Sequence, residues 1–136
     1  MKKINVIQSD ADKIDSFSNL NIEELKAITN GTCDEIICTI LDKVEYSDRI
    51  TLIHLMSKKI ANLGFITLKF LNATKLCKDV AKGNINSQFM SKIILENKSL
   101  FIESDMIEIL SQINNISVHK SYNDNQYIVM VLQKNI

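Results

Sequence analysis

Proline and tryptophan are absent from this chain, arginine occurs once, as Arg49, and there are only three glycines, Gly31, Gly64 and Gly83. The missing proline does not separate one fold from another. The scarce glycine does carry information. None follows the first predicted strand, so no glycine-rich loop brings backbone N–H groups close to a ligand there. The three cysteines, Cys33, Cys38 and Cys77, are odd in number and widely spaced, which argues against a disulfide framework. Cys33 and Cys38 also lack the second pair that a zinc site needs. They read as buried free thiols of a reducing cytoplasm. Lys plus Arg equals Asp plus Glu at 16 each, so no net field draws nucleic acid or an anionic membrane. The longest apolar stretches, such as residues 36–41, are far too short to span a bilayer. The first residues, MKKINVIQSD, have no sustained apolar stretch after their lysines and do not read as a signal peptide. His54 and His119 stand alone on their segments, so no metal site is expected. No Ser/His/Asp or Cys/His pattern of recognisable spacing occurs.

What is present is a hydrophobic content of 46% in 136 residues, enough for one core and one domain over residues 1–136. Residues 4–7 (INVI) predict a short strand closed by the polar turn Gln8, Ser9, Asp10. A helix is expected from Asn19 or Asn21, either of which can cap it, with Glu23 and Glu24 in its first turn. Asn30 and Gly31 stop it. Residues 34–41 (DEIICTIL) are β-branched and nearly all apolar, the mark of a strand covered on both faces. Ser47 or Asp48 caps the next helix. Its apolar face includes Ile50, Ile53, Leu55, Ile60 and Leu63, and Asn62, Leu63 and Gly64 end it. Residues 65–71 (FITLKFL) form the next strand.

Strand, helix, glycine and strand over about forty residues make a βαβ unit, with a right-handed connection and parallel strands. A weakly helical stretch at 75–82 follows, for which Asn72 is the expected cap. Helices at 87–96 and 104–113 come next. The chain closes with strands at 116–122 and 127–132 around Asn123, Asp124 and Asn125, whose tolerance of positive φ predicts an antiparallel hairpin. Tyr122 and Tyr127 flank that turn and read as cross-strand packing.

These pieces in this order resemble a class I S-adenosylmethionine-dependent methyltransferase. Asp34, Glu35, Ile36 and Ile37 match the start of the family's fourth strand. Leu41, Asp42, Lys43 and Val44 match its Leu-Glu-His ending. Residues 60–64 (IANLG) stand where the family has Leu-Lys-Pro-Gly-Gly before its fifth strand. Ser9, Asp10 and Ala11 are similar to the family's Gly-Asp-Ala turn, whose Asp contacts the cofactor adenine. The resemblance therefore implies a mixed, mostly parallel open sheet of about five strands with flanking helices and a C-terminal antiparallel hairpin, a truncated Rossmann-like α/β fold. It also implies Asp10, Ala11, Leu41 and Asp42 as the cofactor-binding candidates. On this reading residues 4–7 correspond to the family's third strand, and the first two strands with the glycine-rich loop are missing. Lys43 stands in place of the His of the Leu-Glu-His ending.

Two functions from different classes follow. The first is a degenerate, non-catalytic methyltransferase-like domain that serves as an interaction or assembly module in the cytoplasm, or in a host cytoplasm if the source is a phage. It needs no cofactor and expects a protein partner or self-association, because the lost strands leave a side of the sheet bare. The second is a methyltransferase that binds S-adenosylmethionine in an incomplete or partner-completed site. Asp10 and Asp42 at strand ends also suit a response-regulator-type module, and the terminal hairpin stands against that.

Overall fold

The computed structural model describes residues 1–100 and 103–136. Among them lie six strands and five α-helices. The strands are β1 (Lys3–Val6), β2 (Ser18–Leu20), β3 (Cys33–Cys38), β4 (Ile60–Leu71), β5 (Ile116–Asp124) and β6 (Tyr127–Lys134). The helices are α1 (Ile22–Lys26), α2 (Tyr46–Lys59), α3 (Ala73–Ala81), α4 (Ser87–Glu96) and α5 (Glu103–Ser111). The sheet runs β2-β1-β3-β4-β6-β5, with β1 parallel to both β2 and β3, β3 parallel to β4, and β6 antiparallel to its two neighbours. The terminal hairpin thus excludes the all-parallel sheet of the response-regulator alternative.

The register aligns the core. Ile4, Ile36, Ile66 and Leu132 stand abreast, and so do Val6, Cys38, Leu68 and Met130. These strand residues are buried in one cluster with Leu25 of α1, Leu52, Ile53 and Met56 of α2, and Met106 and Leu110 of α5. Because strand side chains alternate between faces, all three helices cover the same face. On the other face Glu35, Ile37, Phe65, Thr67, Lys69, Val131 and Gln133 are half-buried. Doubly wound folds carry helices on both faces. Here the β1–β2 connection, residues 7–17, contains only a 3-10 turn at Asp10–Asp12, so a helix is missing from that side.

Several boundaries differ from expectation. In the doubly wound order 3-2-1-4-5-6, the strand beside the fourth is the first. β1 pairs with β3, the counterpart of the fourth strand, so residues 4–7 take the first-strand place rather than the third. β2 takes the second. Asn19 belongs to β2, and Asn21 alone caps α1, accepting from the Glu24 N–H at 2.8 Å. Asn62, Leu63 and Gly64 do not end a helix: α2 stops at Lys59 and β4 begins at Ile60. Leu63 takes the positive φ of 64° there. The β3–β4 register shifts between Cys33 and Glu35. Gly64 is required by space, since a Cβ would lie 2.9 Å from the carbonyl oxygens of Ala61 and Asp34. Cys33 and Cys38 are buried as expected, but Cys77 is exposed on α3. Asn72 does cap α3, accepting from Lys75 N–H. Tyr122 sits opposite Val129 and Tyr127 opposite Asp124, so the two tyrosines do not face each other.

Candidate functional site

Ligands of open α/β sheets bind beyond the carboxyl ends of the strands, where the winding reverses. Here that point lies between β1, whose chain leaves toward β2, and β3, whose chain leaves toward β4. Its walls are the loop after β1, residues 7–12, and the segment after β3, which forms a 3-10 turn at Leu41–Lys43.

The two walls are joined. Asp12 Oδ2 accepts the backbone N–H groups of Gln8 and Ser9, both at 3.0 Å, and Asp12 Oδ1 lies 2.7 Å from Lys43 Nζ. The Gln8 amide donates to the Lys43 carbonyl at 3.3 Å. The Asp12 side chain is only 6% exposed. Burial pushes its pKa up. The bond from Lys43 and the two backbone N–H groups outweigh that and hold the carboxyl below the usual aspartate range. The loop is fixed from behind by Asn5, whose amide donates to the Asp12 carbonyl and to Asn19 Oδ1, both at 2.8 Å.

The expected site residues fall on these walls but do not meet across them. Asp10 is exposed and pairs with Lys13 of its own turn at 3.1 Å. Ala11 is exposed beside it. Leu41 is fully buried in the core. Asp42 is 4% exposed. Its Oδ2 accepts Leu71 N–H at 2.8 Å, tying the end of β3 to the end of β4. Its carbonyl accepts the N–H groups of Lys98 and Ser99. Asp42 Oδ1 has no hydrogen-bond partner among the described residues. Burial drives its pKa up to about 7, against the pull of the Leu71 N–H, Arg49 and Lys43. Asp12, which makes the actual junction with Lys43 and Gln8, was not singled out in the sequence. The one hint was the spacing of Ser9 and Asp12, which fits a capping box.

Beside the crevice a cleft of about 360 Å³ opens between α1 and α2, lined by Gln8, Ile22, Val44, Asp48, Leu52 and Lys98 among others. Among the described residues no cluster of His, Cys, Asp and Glu could hold a metal ion.

No family model matches the sequence, and no curated protein does. Solved structures do. A SAM-dependent methyltransferase from Archaeoglobus fulgidus aligns with a TM-score of 0.64 at 12% identity, over 96% of this chain and 75% of that one. The chain has the class I methyltransferase fold. The PH0226 protein from Pyrococcus horikoshii aligns with a TM-score of 0.67 at 8% identity, over 98% of this chain and 72% of that one. The 1,6-didemethyltoxoflavin-N1-methyltransferase from Burkholderia thailandensis, solved with 1,6-didemethyltoxoflavin and S-adenosylhomocysteine bound, gives 0.58 at 10% identity, over 88% of this chain and 52% of that one. This chain thus has a truncated form of the fold.

The residues at the crevice do not fit the fold's cofactor. The loop after β1 has Gln8, Ser9 and Asp10 where the family has glycines, and two of its N–H groups already serve Asp12. β2 is followed by Asn21 where the family has the acid that holds the ribose, and the Asn21 side chain is committed to α1. Among the described residues, no helix is long and apolar enough to cross a membrane.

Proposed function

We propose that this chain is a non-catalytic methyltransferase-like domain that works as an interaction or assembly module in the cytoplasm. The observation that carries the reading is the Asp12 carboxylate. It takes the backbone donors that a ligand would use and closes the crevice with Lys43. A built-in anion held by two N–H groups and an ammonium, at 6% exposure, is a costly thing to displace. The β1–β2 connection, which carries a 3-10 turn where a covering helix is usual, supports the same reading, because a parallel sheet is ordinarily covered on both sides.

The test is calorimetric titration of the purified chain with S-adenosylmethionine and S-adenosylhomocysteine. No heat at millimolar ligand, from a folded protein, is the expected result. Micromolar binding would overturn the proposal. It would install the alternative, a methyltransferase with an incomplete or partner-completed cofactor site, and the cleft between α1 and α2 is where its ligand would first be sought.

A further inference from the structure

The outer edge of the sheet is strand β5, and every residue from Ser117 to Asp124 is exposed. Val118 is 47% exposed and Tyr122 50%. Among the described residues, β5 pairs with β6 only. The register shows which backbone groups are free. Asp124 pairs with Tyr127 and closes a two-residue turn, with Asn125 at φ 55°. In such a hairpin the closing pair is hydrogen-bonded, and alternate residues turn their N–H and C=O groups to opposite edges. Asp124, Tyr122 and Lys120 therefore bond to β6, and Asn123 and Ser121 point outward. The register shift between Val118 and Lys120 interrupts the edge beyond that. It leaves residues 120–124 as the stretch open to pairing.

We propose that this stretch pairs antiparallel with the same stretch of a second copy, about a two-fold axis at Tyr122. The inference rests on the interaction-module reading and names its partner. The register follows from the free groups. Ser121 opposite the second copy's Asn123 makes an outward-facing hydrogen-bonded pair, and symmetry makes the same pair twice. Tyr122 then faces Tyr122 of the other copy in the close, non-hydrogen-bonded position. Lys120 faces the other copy's Asp124, also twice, so opposite charges meet across the strands. Centring the axis on Lys120 would set like charges opposite one another, so this register is disfavoured. Asp124 lies 3.4 Å from Lys69 of its own chain and is half exposed, and a carboxylate has lone pairs for a second cation. Lys69 and Val131, opposite Val129 and Lys120 respectively, share a face with Tyr122 and Lys120. That is the face without the core helices, so no core helix stands in the way of the joined sheets.

Sedimentation equilibrium of the full chain tests this, run beside the cofactor titration on the same sample. A reversible dimer is expected. Ser121→Pro removes an outward N–H without touching the β6 ladder, and should leave a folded monomer. Lys120→Asp should weaken the dimer about tenfold, and Lys120→Asp with Asp124→Lys should restore most of the loss. With Cys77→Ser as background, Tyr122→Cys should oxidise to an inter-chain disulfide, since non-hydrogen-bonded partners lie within disulfide reach. A chain that stays monomeric overturns the pairing. So does an oligomer indifferent to Ser121→Pro and to both charge changes. Cofactor binding by an intact dimer would sink the non-catalytic reading and leave the pairing standing.

Discussion

Lys43 Nζ lies 2.7 Å from Asp12 Oδ1, so the turn that follows β3 is fastened to the loop that follows β1. The bond spans the point where ligands enter this kind of sheet, and it is made by two residues 31 apart in sequence.

Replacing Asp12 should cost more than replacing Lys43. Asp12→Ala strands the N–H groups of Gln8 and Ser9 as well as the ammonium, a loss of about 2–3 kcal/mol. Lys43→Met leaves both N–H bonds in place and should cost about 1 kcal/mol. Urea midpoints at pH 7 decide it. Equal losses would mean that the loop does not depend on the carboxylate.

Asp42 and Asp12 should make stability depend on pH in opposite senses. Asp42 is raised from an ordinary 3.8 to about 7 by burial. The folded state therefore holds its proton more tightly than the unfolded chain. The stability it contributes is complete below about pH 4 and is lost as pH rises toward 7, on the order of 4 kcal/mol at most. Asp12 is lowered, so its contribution is present above pH 4 and lost as pH falls through its folded value. The expected profile peaks on the acidic side of neutrality. Asp42→Asn keeps an acceptor for Leu71 N–H and removes the desolvated charge. It should flatten the fall between pH 5 and 7.5 and raise the melting temperature at pH 8. An unchanged slope in this variant would rule out Asp42 as its source.

Lys59, 6% exposed at the end of α2, donates to the carbonyls of Lys26, the last residue of α1, and of Ile28 just beyond it. Lys59→Met keeps the stem and removes the donor, and should cost about 2 kcal/mol. Lys58→Met, on the exposed neighbour, should cost a few tenths. Denaturant titration of the two variants separates a buried cap from a general preference for cations at a helix end.

Gly64→Ala should be worse than Gly31→Ala. At Gly64 the new methyl meets two carbonyl oxygens and Ile60 Cγ1 at 2.9 Å, and backbone must move, at about 2–3 kcal/mol. At Gly31 nothing lies within 4 Å, and the cost of about 1–2 kcal/mol is that of φ +72° alone. The order of the two melting temperatures checks this.

Much of the sheet was legible because residues 34–41 and 127–132 are apolar, β-branched runs, and because Asn21 and Asn72 are true helix caps. β2 was not. Its three residues, Ser18, Asn19 and Leu20, are too few and too polar to alternate, and Asn19 is spent on the backbone of Ile14 and Phe17. The junction of α2 and β4 was misplaced because Asn62, Leu63 and Gly64 carry turn chemistry, which the fold spends on an irregularity inside a strand. The crevice was least legible of all. Which acid faces inward, Asp10 or Asp12, depends on the winding of one short loop, and nothing in the sequence around Lys43 announces its partner.

Helix α2 passes into β4 without a connecting residue: Lys59 is the last of one and Ile60 the first of the other. Ile60 is at once bonded back to the Met56 carbonyl and paired with Cys33. Such a joint has no slack. One added residue there would rotate the helix by about 100° or turn every side chain of the strand to the wrong face. Helix and strand must therefore move as a single strut. Changes in chain length through this sequence's history would be expected at exposed joints such as the one at Gly83, and not here.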